Sequence, residues 1–363
     1  MKKKKTYLIH IFLTIYNKFF GQFKDTKTLS AASEFNSIVI MSTTALGDLL
    51  FNTPAIDALR KRYPSAHITL VSSYKNRVLV EGSHYFDEII YWDNKIRNAY
   101  GVIKKLRQYK PQLTVILHSH MPYDVLIAVM AGSHYVVRDS YATDSRVMNS
   151  WLAAYSGKFN GHIIVRKLAL LKILGCDTDD VRMRIPVDFE RQGKHPRQIN
   201  IGFQMGASET IRQWPVYRFA ELARAILTLD SAEKQYCIIL IGSGKETPLV
   251  EAFMALLTAD EKQHVISLAG KTNLKQLLSA IAGLDILVTG DTGPLHIAVA
   301  LEVKTVSLFA TANPHHTGPL QSPELHKIIY TRERLDTGGT APQDFPLAII
   351  TADEVFTEIK KLS

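Results

Sequence analysis

Two turns that carry an aspartate offer the chemistry in this chain. In Ile286-Leu-Val-Thr-Gly-Asp291-Thr-Gly293-Pro-Leu-His296-Ile-Ala-Val-Ala300, an apolar strand runs through an Asp-Thr-Gly turn onto an apolar helix. Such a turn suits phosphate. Gly290 and Gly293 let the backbone approach a ligand, Thr292 brings a hydroxyl, and the amides opening the helix face an anion. An ordinary strand-to-helix turn with Asp291 or Thr292 as N-cap fits the same residues. Far upstream, Met41-Ser-Thr-Thr-Ala-Leu-Gly47-Asp48 places Gly47 at a turn and Asp48 at the carboxyl edge of another sheet, where open α/β sheets bind ligands. A carboxylate there can take a proton from a substrate hydroxyl, or simply cap the following helix.

Further groups fall at similar strand ends. Phe203-Gln-Met-Gly206-Ala-Ser208-Glu-Thr-Ile-Arg212 can hold a diphosphate through backbone amides, hydroxyls and a guanidinium, although Arg212 equally suits a solvated surface; Trp214-Pro215 reads as a packed helix start. Glu246, in Ile241-Gly-Ser-Gly-Lys-Glu246, can accept from a ribose or stand exposed at a helix start. His296 lies one turn beyond Asp291, a place that suits a ligand contact and suits a structural role better. His118 and His120 follow a strand of the first half and can meet a second substrate; a metal there is the weaker reading for want of carboxylate partners. Asp177-Thr-Asp179 sits in linker-like sequence and reads as a solvated turn. No Gly-x-Gly-x-x-Gly, Gly-x-Ser-x-Gly, His-Glu-x-x-His or Walker A pattern is present.

Positioning these groups takes two series of alternating strands and helices. The first has strands at 37–41, 67–72, 88–92, 113–117 and 135–138, with helices over 48–63, 100–109 and 166–174. The second has strands at 198–203, 236–241, 265–268, 285–288 and 305–309, with helices over 216–229, 248–257 and 274–281 and from Pro294. Gly175–Pro186 and the polar stretch 190–197 make the best linker. Thr351-Ala-Asp-Glu354 is a capping box for a last helix with Val355, Phe356, Ile359 and Leu362 on one face. The expected layout is a basic, apolar segment 1–35, Rossmann-like domains 36–186 and 187–345, and a terminal helix 346–363.

Composition narrows the class. With 363 residues, 46% of them hydrophobic, the chain can fill two cores. Four of the charges behind its formal +9 are Lys2 to Lys5, and no nucleic-acid motif accompanies them, so nucleic acid is not the expected partner; small anions and anionic membranes are. Cys176 and Cys237 stand far apart in apolar surroundings and read as buried thiols. After the lysines, Tyr7 to Tyr16 is apolar but too short to span a bilayer, which takes roughly 20 apolar residues. A helix lying in the membrane interface is the preferred reading, and one packed on the protein's own body the alternative.

Taken in order, these motifs resemble the ADP-heptose:lipopolysaccharide heptosyltransferases of glycosyltransferase family nine. The resemblance runs from about Ser37 to about Leu320 and is most specific at Asp291-Thr-Gly-Pro-Leu-His296-Ile-Ala, continued by Thr305-Val-Ser-Leu-Phe309 and Pro314 to Pro319; Gly47-Asp48 with Pro54, Gly206-Ala-Ser208 with Trp214-Pro215, and Leu268-Ala-Gly-Lys-Thr272 are further matches. It implies an α/β fold of GT-B type, two Rossmann-like domains facing across a cleft, with the last helix often returning to the first. It implies inverting transfer from a nucleotide sugar such as ADP-heptose to a glycolipid or oligosaccharide, without metal or resident cofactor, at the cytoplasmic side of the membrane. Asp48 would be the base, with Gly47, His118 and His120 on the acceptor side. Gly206, Ser208, Arg212, Asp291, Thr292, Gly293 and His296 would meet the donor, Glu246 its ribose and Thr272 the edge of its base. Ser42 stands where the family usually has Arg or Lys, and Leu117-His-Ser-His120 also departs from it, which keeps open a changed acceptor, or lost activity in a non-catalytic sugar-nucleotide-binding protein; a sugar-nucleotide epimerase is a further alternative, since one such group shares the two-Rossmann architecture.

Overall fold

The structure is a computed structural model; it describes residues 2–21, 23, 28–140, 146–191, 193, 195–332 and 345–362. The chain forms two compact units, Met1–Asp188 and Phe189–Ser363, each with its own core and a six-stranded parallel sheet. Residues 192 and 194 of the expected linker, and 333–344 ahead of the terminal helix, lie outside the described residues.

In the first unit, strands β1 (Ser37–Ser42), β2 (His67–Ser72), β3 (Glu88–Tyr91), β4 (Leu113–His118), β5 (Tyr135–Arg138) and β6 (Ala154–Tyr155) lie in the order β3-β2-β1-β4-β5-β6. Around them run helices α1 (Lys2–Phe20), α2 (Leu46–Arg62), α3 (Arg77–Val80), α4 (Ala99–Gln108), α5 (Tyr123–Ala131) and α6 (Ile163–Leu171). The near-continuous burial of β1, β2 and β4 is what a parallel sheet covered on both faces requires. Helix α2 passes through Pro54, which has no N–H for the Leu50 carbonyl; the Thr53 hydroxyl donates to that oxygen instead, at 2.7 Å, and the helix continues. Because α2 begins at Leu46, Gly47 belongs to its first turn and not to the loop before it, a correction to the sequence-based expectation.

The second unit repeats the plan. Strands β7 (Gln198–Gln204), β8 (Gln235–Ile241), β9 (Val265–Ser267), β10 (Ile286–Gly290), β11 (Lys304–Phe309) and β12 (His326–Tyr330) lie in the order β12-β11-β10-β7-β8-β9. Its helices are α7 (Val216–Leu227), α8 (Thr247–Ala255), α9 (Ala259–Gln263), α10 (Leu274–Ala282), α11 (Gly293–Ala300), α12 (Pro314–Thr317) and α13 (Ala352–Leu362). Helix α13 opens on the expected capping box: Thr351 N–H donates to Glu354 Oε2 at 2.8 Å, and Glu354 N–H to Thr351 Oγ1 at 3.3 Å. Val355, Ile359 and Leu362 then join the core that holds Phe219 and Ala223 of α7, so the last helix packs on the second unit where the family resemblance implies the first.

In each sheet the winding reverses between one adjacent pair of strands, β1 and β4 in the first unit and β7 and β10 in the second. Helices leave opposite faces there, and a crevice opens at the carboxyl ends of the pair.

Candidate functional site

The sequence motifs collect at those two reversals. In the second unit, the buried Gln204 at the end of β7 ties the floor together. Its Nε2 donates to the Gly206 carbonyl at 2.6 Å and to Glu246 Oε1 at 2.8 Å; its Oε1 accepts from Thr289 Oγ1 at 2.9 Å and Thr292 Oγ1 at 3.1 Å. One amide thus fixes the ends of β7 and β10 and the turn after β8. Gln204 belongs to no motif, so the sequence alone does not mark it.

Thr292 occupies the N-cap of α11 by its backbone, yet its hydroxyl makes no capping bond and turns to Gln204 and Thr289. The Asp291 carboxylate is engaged elsewhere: Arg212 Nη2 stands 2.7 Å from Oδ2 and also donates to the Asp291 carbonyl. This is not the ordinary capped turn. The helix end is also poorer in free donors than the sequence suggested, since Pro294 has no N–H and that of Leu295 goes to the Thr292 carbonyl. The Arg212 guanidinium, a quarter exposed and with Nη1 3.5 Å from Ser208 Oγ, offers this edge a charged hydrogen-bond donor.

Two glycines keep this cluster tight. A Cβ on Gly206 would stand 1.9 Å from Glu246 Oε1, and one on Gly290 would stand 3.1 Å from the Arg212 carbonyl. Glu246, half-buried, also accepts the Ser243 N–H in a capping box where the chain enters α8, so the helix-start reading holds in part. Buried His296 brings Nε2 to 3.7 Å from Asp291 Oδ1, at one side of that carboxylate. Thr272 lies half-buried in the loop that the Gly270 N–H ties to the Gly242 carbonyl at 2.9 Å, near Glu246's turn; among the described residues no hydrogen bond joins its side chain to the cluster.

In the first unit the register of β1 on β4 shifts between Met41 and Ser42, which sets His118 opposite Ser42 at the strand end. Asp48, third residue of α2, meets it with one oxygen: Oδ1 lies 3.2 Å from His118 Nδ1. The other oxygen, Oδ2, accepts the Ala45 N–H at 3.2 Å, so the helix-cap reading also holds in part. Burial pulls the His118 pKa down to about 4; Asp48 opposes the shift and the nearby Lys167 adds to it. The ring is neutral at pH 7. A cationic ring would have made Asp48 the passive half of an ion pair and a weaker base.

Beneath them lies a buried charge network that the sequence did not reveal. Lys167 of α6 donates to the Leu117 carbonyl and to Asp139 Oδ2 at 2.8 Å, and Arg166 grips Asp139 with Nε at 2.7 Å and Nη2 at 2.9 Å. Burial opposes ionisation of Asp139, but Lys167 and Arg166 outweigh it and hold its carboxyl below the usual range. Alongside, Arg138 Nε bonds Asp124 Oδ2 at 3.0 Å with both side chains fully buried. Each charge has a partner, as burial demands.

Ser42 is wholly buried, its hydroxyl accepting from Asn52 Nδ2 at 2.8 Å; the buried Lys167 is a positive charge that interacts electrostatically with Asp48. The exposed side chain of His120 does not join Asp48. Among the described residues no three His, Cys, Asp or Glu side chains group closely enough to hold a metal. Asp177 and Asp179 form the expected exposed turn, Asp179 N–H donating to Asp177 Oδ1 at 3.1 Å. Cys176 and Cys237 are free and buried, and burial pushes the Cys176 thiol up to about 12.

Comparison with known proteins places the family and the fold. The model of "Glycosyltransferase family 9 (heptosyltransferase)" matches residues 102–334. A lipooligosaccharide heptosyltransferase 2 of Haemophilus influenzae is 35% identical over 33% of this chain and 34% of its own length. The matched stretches span 34% to 49% of the first curated relatives. The structure resembles a family 9 glycosyl transferase from Veillonella parvula (TM-score 0.76, 22% identity, 91% of this chain and 97% of that one). It also resembles the ADP-heptose lipopolysaccharide heptosyltransferase II of Escherichia coli (TM-score 0.69, 21% identity, 90% and 98%). At such identities the two structures speak for the fold.

Proposed function

The chain belongs to glycosyltransferase family 9, and on that footing we propose that it transfers a heptose or related sugar, with inversion, from a nucleoside-diphosphate donor to a lipopolysaccharide or other envelope glycan. The observation that carries this reading is the cluster at the second reversal, where Arg212, Ser208 and Asp291 stand over the floor fixed by Gln204. As the glycosidic bond breaks, negative charge gathers on the departing diphosphate. Arg212 stabilises it without the help of a metal, Gly206, Thr292 and Gly293 allow its close approach, and His296 fixes the Asp291 carboxylate. Glu246 receives the ribose and Thr272 borders the base.

In the first unit Asp48 takes the proton of the attacking hydroxyl through Oδ1, and neutral His118 leaves its basicity intact. Gly47 and His120 complete the acceptor side. One carboxylate is enough for a single inverting displacement, whereas a hydrolase needs a pair. ADP-heptose is the donor named for the Escherichia coli structure, and it is the one to offer first. Because nucleotide sugars are made in the cytoplasm, the reaction is placed there, at the inner face of the membrane.

The test is to incubate the protein with ADP-heptose and heptose-deficient lipopolysaccharide, with chelator present, and to read the product's anomeric configuration by NMR. An inverted heptoside is expected; a retained configuration, or dependence on added metal, contradicts the mechanism. Conversion of the donor without acceptor would mark an epimerase. Ser42 gives one further reading its footing, since β1 lends Asp48 no cation: a protein that binds sugar nucleotides without transfer, which saturable ADP binding and no heptosylated product would reveal.

A further inference from the structure

Helix α1 is amphipathic the wrong way round for a helix in water. Its inward stripe is modest: Leu13 enters the core, His10 Nδ1 accepts from Trp151 Nε1 at 3.1 Å, and the Tyr16 hydroxyl accepts from Arg107 Nη2 at 2.8 Å. Its outward stripe holds Leu8, Ile11, Phe12, Ile15, Phe19 and Phe20, which are 40% to 75% exposed. A helix docked on a soluble protein shows its polar face to water, and a contiguous apolar stripe marks a binding surface.

The charge around the stripe says what binds. Lys2 to Lys5 precede it and Lys18 lies in its last turn, with no acidic residue among the first twenty-four. Beside its end, Arg107 and Lys110 line a groove with Tyr16 and Phe20, and Lys104 and Lys105 are exposed on α4. From Lys95 to Tyr123 the chain again has no acidic residue. A second copy of this face would set lysines against lysines, whereas anionic headgroups neutralise them. No described helix is long and apolar enough to cross a bilayer, and the inward contacts hold α1 flat on the unit.

We propose that α1 is a docking helix for an anionic membrane surface, its outward apolar stripe sunk into the headgroup boundary and its flanking lysines paired with lipid phosphates. The inference stands on α1 and its surroundings, independent of the transferase reading. Flotation of the full chain with phosphatidylcholine–phosphatidylglycerol vesicles tests it against pure phosphatidylcholine vesicles. The wild type is expected to float with the anionic vesicles, and about tenfold less with the neutral ones or in high salt. Ile11→Glu/Ile15→Glu, both on the outward stripe, is expected to cut binding about tenfold or more while melting and ADP binding stay unchanged. A wild type that stays with the soluble fraction, or a double variant that floats as well as the wild type, overturns the proposal. So does a dimer in sedimentation equilibrium that the double variant dissociates, which would give the stripe to a second copy.

Discussion

The two oxygens of Asp48 face different partners: the Ala45 N–H on one side and His118 on the other. Asn in its place keeps an acceptor for the helix end but has no basicity, so Asp48→Asn is expected to lower kcat by about 10²- to 10⁴-fold while ADP binding, measured by calorimetry, stays as it was. Wild-type turnover by that variant would remove the base assignment. Arg212 is read differently, because its charge is balanced by Asp291 at 2.7 Å and a diphosphate must compete for it. Arg212→Ala takes away the charged donors and is expected to weaken ADP binding by about 10- to 100-fold. Arg212→Lys should recover part of this as a point charge without the planar fork. Equal ADP affinity in all three proteins would show that the guanidinium does not meet the diphosphate.

At the scale of elements, the turns after β7, β8 and β10 share Gln204, and Gly206 sets how closely they pack. Gly206→Ala would place its methyl within 1.9 Å of Glu246 Oε1, which must then move. The expected loss is about 1–3 kcal/mol of stability, together with weaker ADP binding. Removing the obstacle should return most of the stability: Gly206→Ala/Glu246→Ala is expected to unfold at a higher denaturant midpoint than Gly206→Ala alone. Strictly additive losses would mean that the two residues do not meet. These turns were legible in the sequence because apolar strands ended in Gly, Ser and Asp, and strands such as His67–Ser72 and Tyr135–Arg138 stood at their read boundaries. What the sequence hid is long-range or featureless. Tyr123–Ala131 is apolar on nearly every side, so no helical period shows. Arg138 reads as a strand end until Asp124, on a different element, accounts for its burial. Gln204 takes its role only from partners up to 88 residues away.

At the scale of the molecule, one winding order built twice has put each set of polar groups over a core, and the core reaches the histidines. Burial pulls both His118, in the first unit, and His326, at the start of β12 in the second, down to about 4. In the unfolded chain an imidazole takes its proton near pH 6.5. Between those two values the unfolded state binds protons that the native state refuses, so this contribution to stability is complete above about pH 6.5 and lost as pH falls towards 4. For well-buried His326 the loss is on the order of 3 kcal/mol, and it is smaller for His118, whose ring keeps some contact with water. The carboxylates held down by salt bridges, such as Asp139 and Asp87, protonate only at lower pH and do not blur the window. Melting followed by circular dichroism from neutral pH downwards should therefore show a falling Tm before these salt-bridged carboxylates titrate. In His326→Gln the fall should become shallower, because Gln keeps a hydrogen-bonding group for Thr305 Oγ1 but has no proton to gain. If that variant loses stability with the wild-type slope, the titrating groups lie elsewhere and the burial of His326 does not set the acid sensitivity of the second unit.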